Sequence, residues 1–487
     1  MKPSFVVGKY TLESLTNGMY ASPLDLYREY IQNAVDSIDE AVKMGLIEKQ
    51  DISIEIVIDL DNNIIRIKDN GCGINKENAE RLLIDIGNSK KDRCNNRGFR
   101  GIGRLAGLGY CDSLNFITTA SGDAEKSTIS FDAKRLKELL IPNNSDDSIY
   151  DVIDAVVSKK TTIEKKDLHY FEVVLYGIKK NSPLMNYEMV KEYLVQNAPL
   201  PFHPKFRWGH EVLNKVELAG YKMPEYNIYL VFGSQKEQLF KPYQDTIVSD
   251  RIRKYEDNIC DINVVKLGDE NDPLAIMWYA STNFYGTILD GAIKGLRIRQ
   301  GNILIGNGTT CSQLFKEERF NGWVIGEIHS INNNLIANSR RDNFEQNESY
   351  IALSDRIKEI AANIVKELRK ISHERSLSND KQIIAQAENI DDVNSLCIED
   401  MSYGDDVDEY SLMNTSENYM EAESDYIGKL SILLGQKNKK TKYMAINLKD
   451  DLTNEQRRVL EKVFDIIVEE YDEISSKKFI NNIINNF

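Results

Sequence analysis

Glu29-Tyr-Ile-Gln-Asn33-Ala-Val-Asp36, then Asp69-Asn-Gly71-Cys-Gly73-Ile74, then Gly98-Phe-Arg100-Gly101-Ile102-Gly103-Arg104-Leu-Ala-Gly107-Leu-Gly109 are the three runs on which the reading of this chain turns. The first lies in a helical pattern. Ser22-Pro23-Leu24-Asp25 supplies an N-cap and an early proline, and Leu26, Tyr30, Ile31, Ala34, Val35 and Ile38 recur at helical spacing. Positions i, i+4 and i+7 put Glu29, Asn33 and Asp36 on one face, which reads either as a solvated stripe or as a row of ligands. The second run follows a strand-like segment and reads either as a strand-ending turn or as backbone opened for a ligand. The third, preceded by Ile86-Gly87-Asn-Ser89-Lys90-Lys91, is a glycine-rich segment whose backbone can approach a phosphate at a helix N-terminus.

Outward from these runs, residues 52–58 (ISIEIVI) and 64–68 (IIRIK) flank Asp61-Asn62-Asn63 and predict an antiparallel hairpin. Further strand-like runs at 114–119, 127–131 and 170–176 complete an α+β block over 1–185, with helices on one face of a mixed sheet. A connector (186–226) contains the proline-rich Asn197-Ala-Pro-Leu-Pro-Phe-His-Pro204. A second α/β block spans 227–375, with strands IYLVF, INVVKL, AIMWYA, LRIRQ and WVIGEIH and a closing helix from near Leu353. Residues 376–428 hold 14 Asp and Glu against one Lys and predict a flexible acidic linker. That segment carries most of the net charge of −15, so the balance elsewhere leaves room for a local basic surface, and Lys294-Gly-Leu-Arg297-Ile-Arg299 is a candidate strand for phosphate contacts. Residues 429–487, with Val459, Val463, Ile466 and Ile467 at helical spacing, predict a helical region for dimerisation or partner binding. No apolar run approaches the roughly 18–20 residues of a membrane helix, and the N-terminus lacks the order of a secretory signal. Six scattered cysteines without a Cys-x-x-Cys pair argue for reduced thiols, so a cytoplasmic protein without a membrane partner is expected.

Taken together, the three runs resemble the GHKL nucleotide-binding superfamily of gyrase, the ninety-kilodalton heat-shock chaperone, histidine kinases, MutL and the MORC ATPases, over roughly residues 15–135. The layout is most similar to the heat-shock-ninety and MORC types. A P-loop is excluded by the lack of Gly-x-x-x-x-Gly-Lys-Ser/Thr. The resemblance implies a Bergerat-type ATP-binding sandwich, an S5-like middle domain and the cofactors ATP and Mg2+. On it, Asn33 is the magnesium residue, a hard oxygen donor completing a shell of phosphate oxygens and water. Glu29 is the general base, and Asp36 lines the same stripe. Asp69 accepts the adenine exocyclic N–H, with Gly71, Gly73 and Ile74 around base and sugar. Ser89, Lys90, Gly98, Arg100, Gly101, Ile102, Gly103 and Arg104 belong to the phosphate-binding lid. Thr128 matches the position whose hydroxyl supports Asp69. The hydrolytic Glu29 sets the chain apart from histidine kinases, which generally lack it.

In the second block, Leu335-Ile-Ala-Asn-Ser339-Arg340-Arg341-Asp342-Asn-Phe-Glu345 is similar to the chaperone's middle-domain catalytic loop. Arg341 aligns with the arginine that reaches the γ-phosphate, Arg340 is the fallback, and Glu345 stands where the family has Gln. The implied function is an ATP-gated clamp: a homodimer closed at its N-terminus by a strap, Met1–Tyr20, and acting on a protein client or effector subunit. The alternatives are a nucleic-acid-acting ATPase that closes on DNA, as MutL and MORC do, and a regulatory subunit of a bacterial anti-phage system.

Overall fold

A computed structural model describes Lys9, Thr11 and residues 22–85, 103–141, 148–250, 252 and 254–388. Most of the expected strap, the lid candidates Ser89, Lys90, Gly98, Arg100, Gly101 and Ile102, and the whole 429–487 region lie outside the described residues. The chain divides into two units, Met1–Asn389 and Ile390–Phe487, and every described residue belongs to the first.

The helix read from the sequence is α1, Asp25–Lys43. Its start is tied reciprocally, with the Ser22 N–H donating to Asp25 Oδ2 (3.2 Å) and the Leu24 N–H to Ser22 Oγ (3.3 Å). Leu26, Tyr27, Tyr30, Ile31, Val35 and Ile38 are all buried in the first core. At about 1.5–3 kcal/mol for each such side chain, this packing holds the helix down, while Glu29 and Asn33 between them stay half-buried.

Beneath α1 lies an eight-stranded sheet. Its strands are β1 (Ile54–Asp59), β2 (Ile64–Asp69), β3 (Ser113–Thr119), β4 (Glu125–Asp132), β5 (Val157–Ile163), β6 (Tyr170–Tyr176), β7 (Ile228–Phe232) and β8 (Gln235–Gln238). They are ordered β5-β4-β3-β6-β2-β1-β7-β8, and only the β1–β7 pair is parallel. Alternate residues Ile54, Ile56 and Ile58 of β1 are buried while those between them are half-buried, the period of a sheet covered on one face. Helices α2 (Lys76–Ile84), α3 (Ala133–Leu140), α4 (Ile149–Val156) and α5 (Tyr187–Asn197) contribute Leu83, Leu136, Val152 and Leu194 to the same core. The α+β class expected for this block is what the structure shows.

Two expectations need correction. The strand IYLVF was expected to open the second block, yet as β7 it completes the first sheet, Ile54 pairing with Ile228 and Ile58 with Phe232. The parallel partner of β1 comes from beyond the proline-rich connector, where local sequence pattern does not reach. The acidic linker was expected from residue 376, but helix α7 runs Glu348–Glu388 without a break.

A second sheet comprises β11 (Asp261–Gly268), β12 (Pro273–Ser281), β13 (Gly295–Gln300), β14 (Ile303–Ile305) and β15 (Ile325–Ser330), ordered β11-β12-β15-β13-β14. The hairpin β9 (Thr246–Ser249) and β10 (Tyr255–Asn258) stands apart from it. One face of this sheet, with Met277, Leu296, Ile298 and Ile328, packs on Leu353, Ile357, Ile364 and Leu368 of α7. The opposite face, with Ile276 and Trp278, packs on Phe202, Tyr243 and Val212 of α6 (Gly209–Leu218).

Candidate nucleotide site

Glu29, Asn33 and Asp36 do share one stripe of α1. Glu29 and Asn33 are half-buried, and Asp36 is buried. The Asn33 amide makes no hydrogen bond to any described residue, so it retains its capacity to coordinate a hard cation. A short helix, Gly103–Gly109, lies against this stripe, and a Cβ on Gly103 would overlap Glu29 Oε2. Gly103 therefore meets the carboxylate itself, so any side chain there would displace it. Tyr30 joins the two elements: its hydroxyl donates to Arg104 O (3.0 Å) and accepts from Gly107 N–H (3.1 Å).

Arg104 is turned to a structural task. Its guanidinium Nε donates to Leu83 O (3.1 Å) and its Nη2 to Asp85 O, and burial pushes its pKa down to about 10 against the pull of Asp85. Two carbonyls at the end of α2 thus occupy the group that was expected to face phosphate.

Asp69 ends β2 and is buried, its Oδ1 accepting the Gly71 N–H (2.8 Å). The turn that follows is pressed between α1 and the sheet. A Cβ on Gly71 would overlap Ser37, and one on Gly73, which has φ +65°, would overlap Thr119 O. Protein packing alone therefore requires both glycines, whatever else approaches them. The Ile74 N–H donates to Thr118 Oγ1 (2.8 Å), and that hydroxyl donates on to Tyr170 O (3.0 Å). His169 Nδ1 lies 2.7 Å from Gly71 O and braces the other side of the turn.

Strand register corrects the expectation for Thr128. Directly paired residues in a sheet point to one face and successive residues alternate. Asp69 pairs with Phe171, Phe171 with Thr118, and Thr118 with Ser127, so these four share the covered face. Thr128 pairs with Ile117, which pairs with Glu172, and so points to the opposite face. The buried hydroxyls on Asp69's side are those of Thr118 and Ser127.

The loop from the second block closes the site. It forms a narrow turn, with Ala337 bridged to Phe344 and the Asn338 N–H bonded to Asn343 O (2.9 Å). At its tip Arg341 takes a left-handed φ of +55°. Arg341 Nε stands 3.5 Å from Glu29 Oε1, with the two side chains only 9% and 12% exposed. Arg340 has an exposed side chain, and its backbone carbonyl accepts from Arg28 Nη2 (3.0 Å). Glu345 is exposed. Arg28 was missed in the sequence because a lone arginine beside an acid on a helix carries no signal of its own.

The expected basic strand is not a surface. Arg297 and Arg299 on β13 are each 1% exposed. Arg297 donates to the carbonyls of Lys294 (2.7 Å), Gly295 (3.2 Å) and Gly291 (2.7 Å). Arg299 Nε donates to Glu327 Oε1 (2.5 Å), which also accepts from the Tyr243 hydroxyl (3.0 Å). Glu327 Oε2 receives Lys241 Nζ (2.5 Å), Trp278 Nε1 (3.3 Å) and His329 Nε2 (3.1 Å). Burial works to raise the Glu327 pKa, yet Arg299 and Lys241 hold it well below the usual carboxylate range. Burial pushes Lys241 down to about 8 and His329 down to about 4, each against the attraction of Glu327.

Comparison with known proteins bears on this arrangement. Residues 26–161 match the family described as histidine kinase-, DNA gyrase B-, and HSP90-like ATPase. The chaperone protein HtpG of Alkaliphilus metalliredigens is 26% identical over 407 residues, covering 75% of this chain and 58% of that protein. HtpG of Bacillus licheniformis is 28% identical over 235 residues, covering 40% of this chain and 37% of that protein. The DNA mismatch repair protein MutL of Aquifex pyrophilus is 25% identical over 210 residues, covering 41% of this chain and 43% of that protein. The chain thus spans 58% or less of the length of these three relatives. The matched residues span α1, the Asp69 turn and the segment beside Glu29, so residues 26–161 form a domain similar to those of the GHKL ATP-binding ATPases.

Proposed function

We propose that this chain hydrolyses ATP between its two sheets, and that turnover requires the second-block loop to be docked on α1. The observation that carries the reading is Arg341 Nε, 3.5 Å from Glu29 Oε1, which places an arginine from one block beside the candidate base of the other. Glu29 accepts a proton from the attacking water, a service that typically contributes about 10²–10⁴-fold. Asp69 accepts the adenine exocyclic N–H and so favours adenine over guanine, which offers a carbonyl there. Asn33 has the oxygen donor that suits magnesium, which when bound offsets phosphate charge. Arg341 stabilises charge on the transferring phosphoryl group as an arginine finger does.

Because the base and the arginine come from separate blocks, nucleotide can bias an equilibrium between undocked and docked forms. On this reading the chain works as an ATP-gated dimeric clamp, as its resemblance to HtpG suggests. The buried state of Arg297 and Arg299 withdraws the one basic strand that favoured DNA as the partner. The test is ATP turnover by wild type, Glu29→Ala and Arg341→Ala, with and without DNA, beside light scattering with a nonhydrolysable analogue. Both variants should bind ATP, with Glu29→Ala failing to turn it over and Arg341→Ala turning it over about 10³-fold more slowly, and the analogue should increase the mass. A Glu29→Ala protein as active as wild type would refute the assignment of the base, and an unchanged monomer would refute the clamp.

A further inference from the structure

The loop that delivers Arg341 is held from a direction the sequence did not suggest. Arg28, next to Glu29 on α1, is buried, and its guanidinium reaches three groups. Nη2 donates to Arg340 O (3.0 Å), Nη1 lies 3.5 Å from Asp25 Oδ1, and Nε lies 3.9 Å from Glu29 Oε1. Asp25 Oδ1 in turn accepts the Tyr193 hydroxyl proton (3.0 Å), and Tyr193 lies on α5. One turn on, Gln196 O of the same helix accepts from Arg299 Nη2 (2.9 Å), the arginine whose Nε is locked on Glu327 in the second sheet. Helix α5 therefore touches the second sheet at its C-terminal end and the catalytic end of α1 through its one tyrosine hydroxyl at that contact.

We infer that Tyr193 is a positioning residue for hydrolysis: by orienting Asp25 it fixes the Arg28 fork, which holds the Arg340 carbonyl and so aims Arg341 at Glu29. A guanidinium is planar, so setting the direction of one N–H sets the others, and a hydroxyl three contacts removed from the loop can decide where the loop sits. Arg28 uses a backbone carbonyl of the loop rather than a side chain, which makes the grip independent of residue type at 340. The inference rests on the proposed hydrolysis for its effect on rate, although the chain of two hydrogen bonds and an ion pair does not.

The experiment is a four-member cycle of wild type, Tyr193→Phe, Arg341→Ala and the double variant, reading kcat and ATP affinity. A second measurement follows amide hydrogen exchange across 336–345. Tyr193→Phe should lower kcat roughly tenfold, as expected for loss of a hydrogen bond to a charged group, with ATP affinity unchanged. In the Arg341→Ala background the same substitution should cost nothing more. Exchange of the Arg341 N–H, bonded to Asn338 O at 3.1 Å, should quicken in Tyr193→Phe without nucleotide. Equal losses in both backgrounds, an unchanged kcat, a parallel fall in affinity, or unchanged exchange would each overturn the inference. If exchange quickens while wild type and Glu29→Ala hydrolyse ATP equally, the positioning relay stands and the reading of turnover falls.

Discussion

The two sheets each gather charged side chains near their middle and use them in opposite ways. In the first, Glu29 and Asn33 are half-buried, and the Asn33 amide makes no hydrogen bond to a described residue. In the second, Glu327 is fully buried and receives five donors, from Arg299, Tyr243, Lys241, Trp278 and His329. Residue type does not separate a site from a scaffold, because Arg and Glu appear in both. What separates them is whether the protein has already used the group's hydrogen-bonding capacity.

That contrast is broken most directly at Arg341. Arg341→Ala should lower kcat by about 10³-fold, the low end for an arginine finger, and leave the thermal midpoint nearly unchanged, as coupled ATPase and calorimetric scans would report. Glu327→Ala should do the reverse. It leaves Lys241 and Arg299 buried without their counter-charge and should cost about 3–5 kcal/mol in urea unfolding, so that any loss of activity follows loss of folded protein.

Acid sharpens the same distinction. His329 has its folded pKa lowered to about 4 from an ordinary 6.5, so between those values the unfolded chain holds the extra proton. Its contribution is intact above pH 6.5 and fades as pH falls toward 4, amounting to about 3 kcal/mol from the difference in pKa. Urea unfolding at pH 7.5, 6 and 5 should show this slope, and His329→Gln should flatten it. The smallest effect separates two threonines on the first sheet. Thr118→Val removes one acceptor and one donor beneath the Asp69–Ile74 turn and should cost about 1–3 kcal/mol, with weaker ATP binding by calorimetry if the proposed site is right. Thr128→Val, on the other face, should stay within about 0.5 kcal/mol and leave binding alone.

Much of this was legible in the chain itself. The α1 stripe, the β1–β2 hairpin, strands β3 and β6, and the α+β class all follow from local periodicity, which a single sequence displays. Of the two neighbouring arginines, it is the Arg341 guanidinium that approaches Glu29. Apart from the length of α7, a matter of local helicity, the failures share a cause, since they depend on pairing across a distance. Thr118 and Thr128 differ only by register. Arg297 and Arg299 alternate like a wet strand, and only Glu327, brought alongside by the parallel β13–β15 pairing, and backbone carbonyls make them interior. Strand β5, VSKKTTI, is an edge strand with mostly exposed side chains and so lacks the apolar alternation by which strands are recognised.

The parallel pairing of β1 with β7 has a practical bearing on how this chain can be divided. A stop codon placed after β6, where the nucleotide-binding half would be trimmed by eye, strips β1 of one neighbour and lays bare an aliphatic ribbon, Ile54-Glu-Ile-Val-Ile-Asp59, ready to recruit other chains. Anyone expressing that half alone does better to stop after Gln238, carrying the connector along as part of the folded piece.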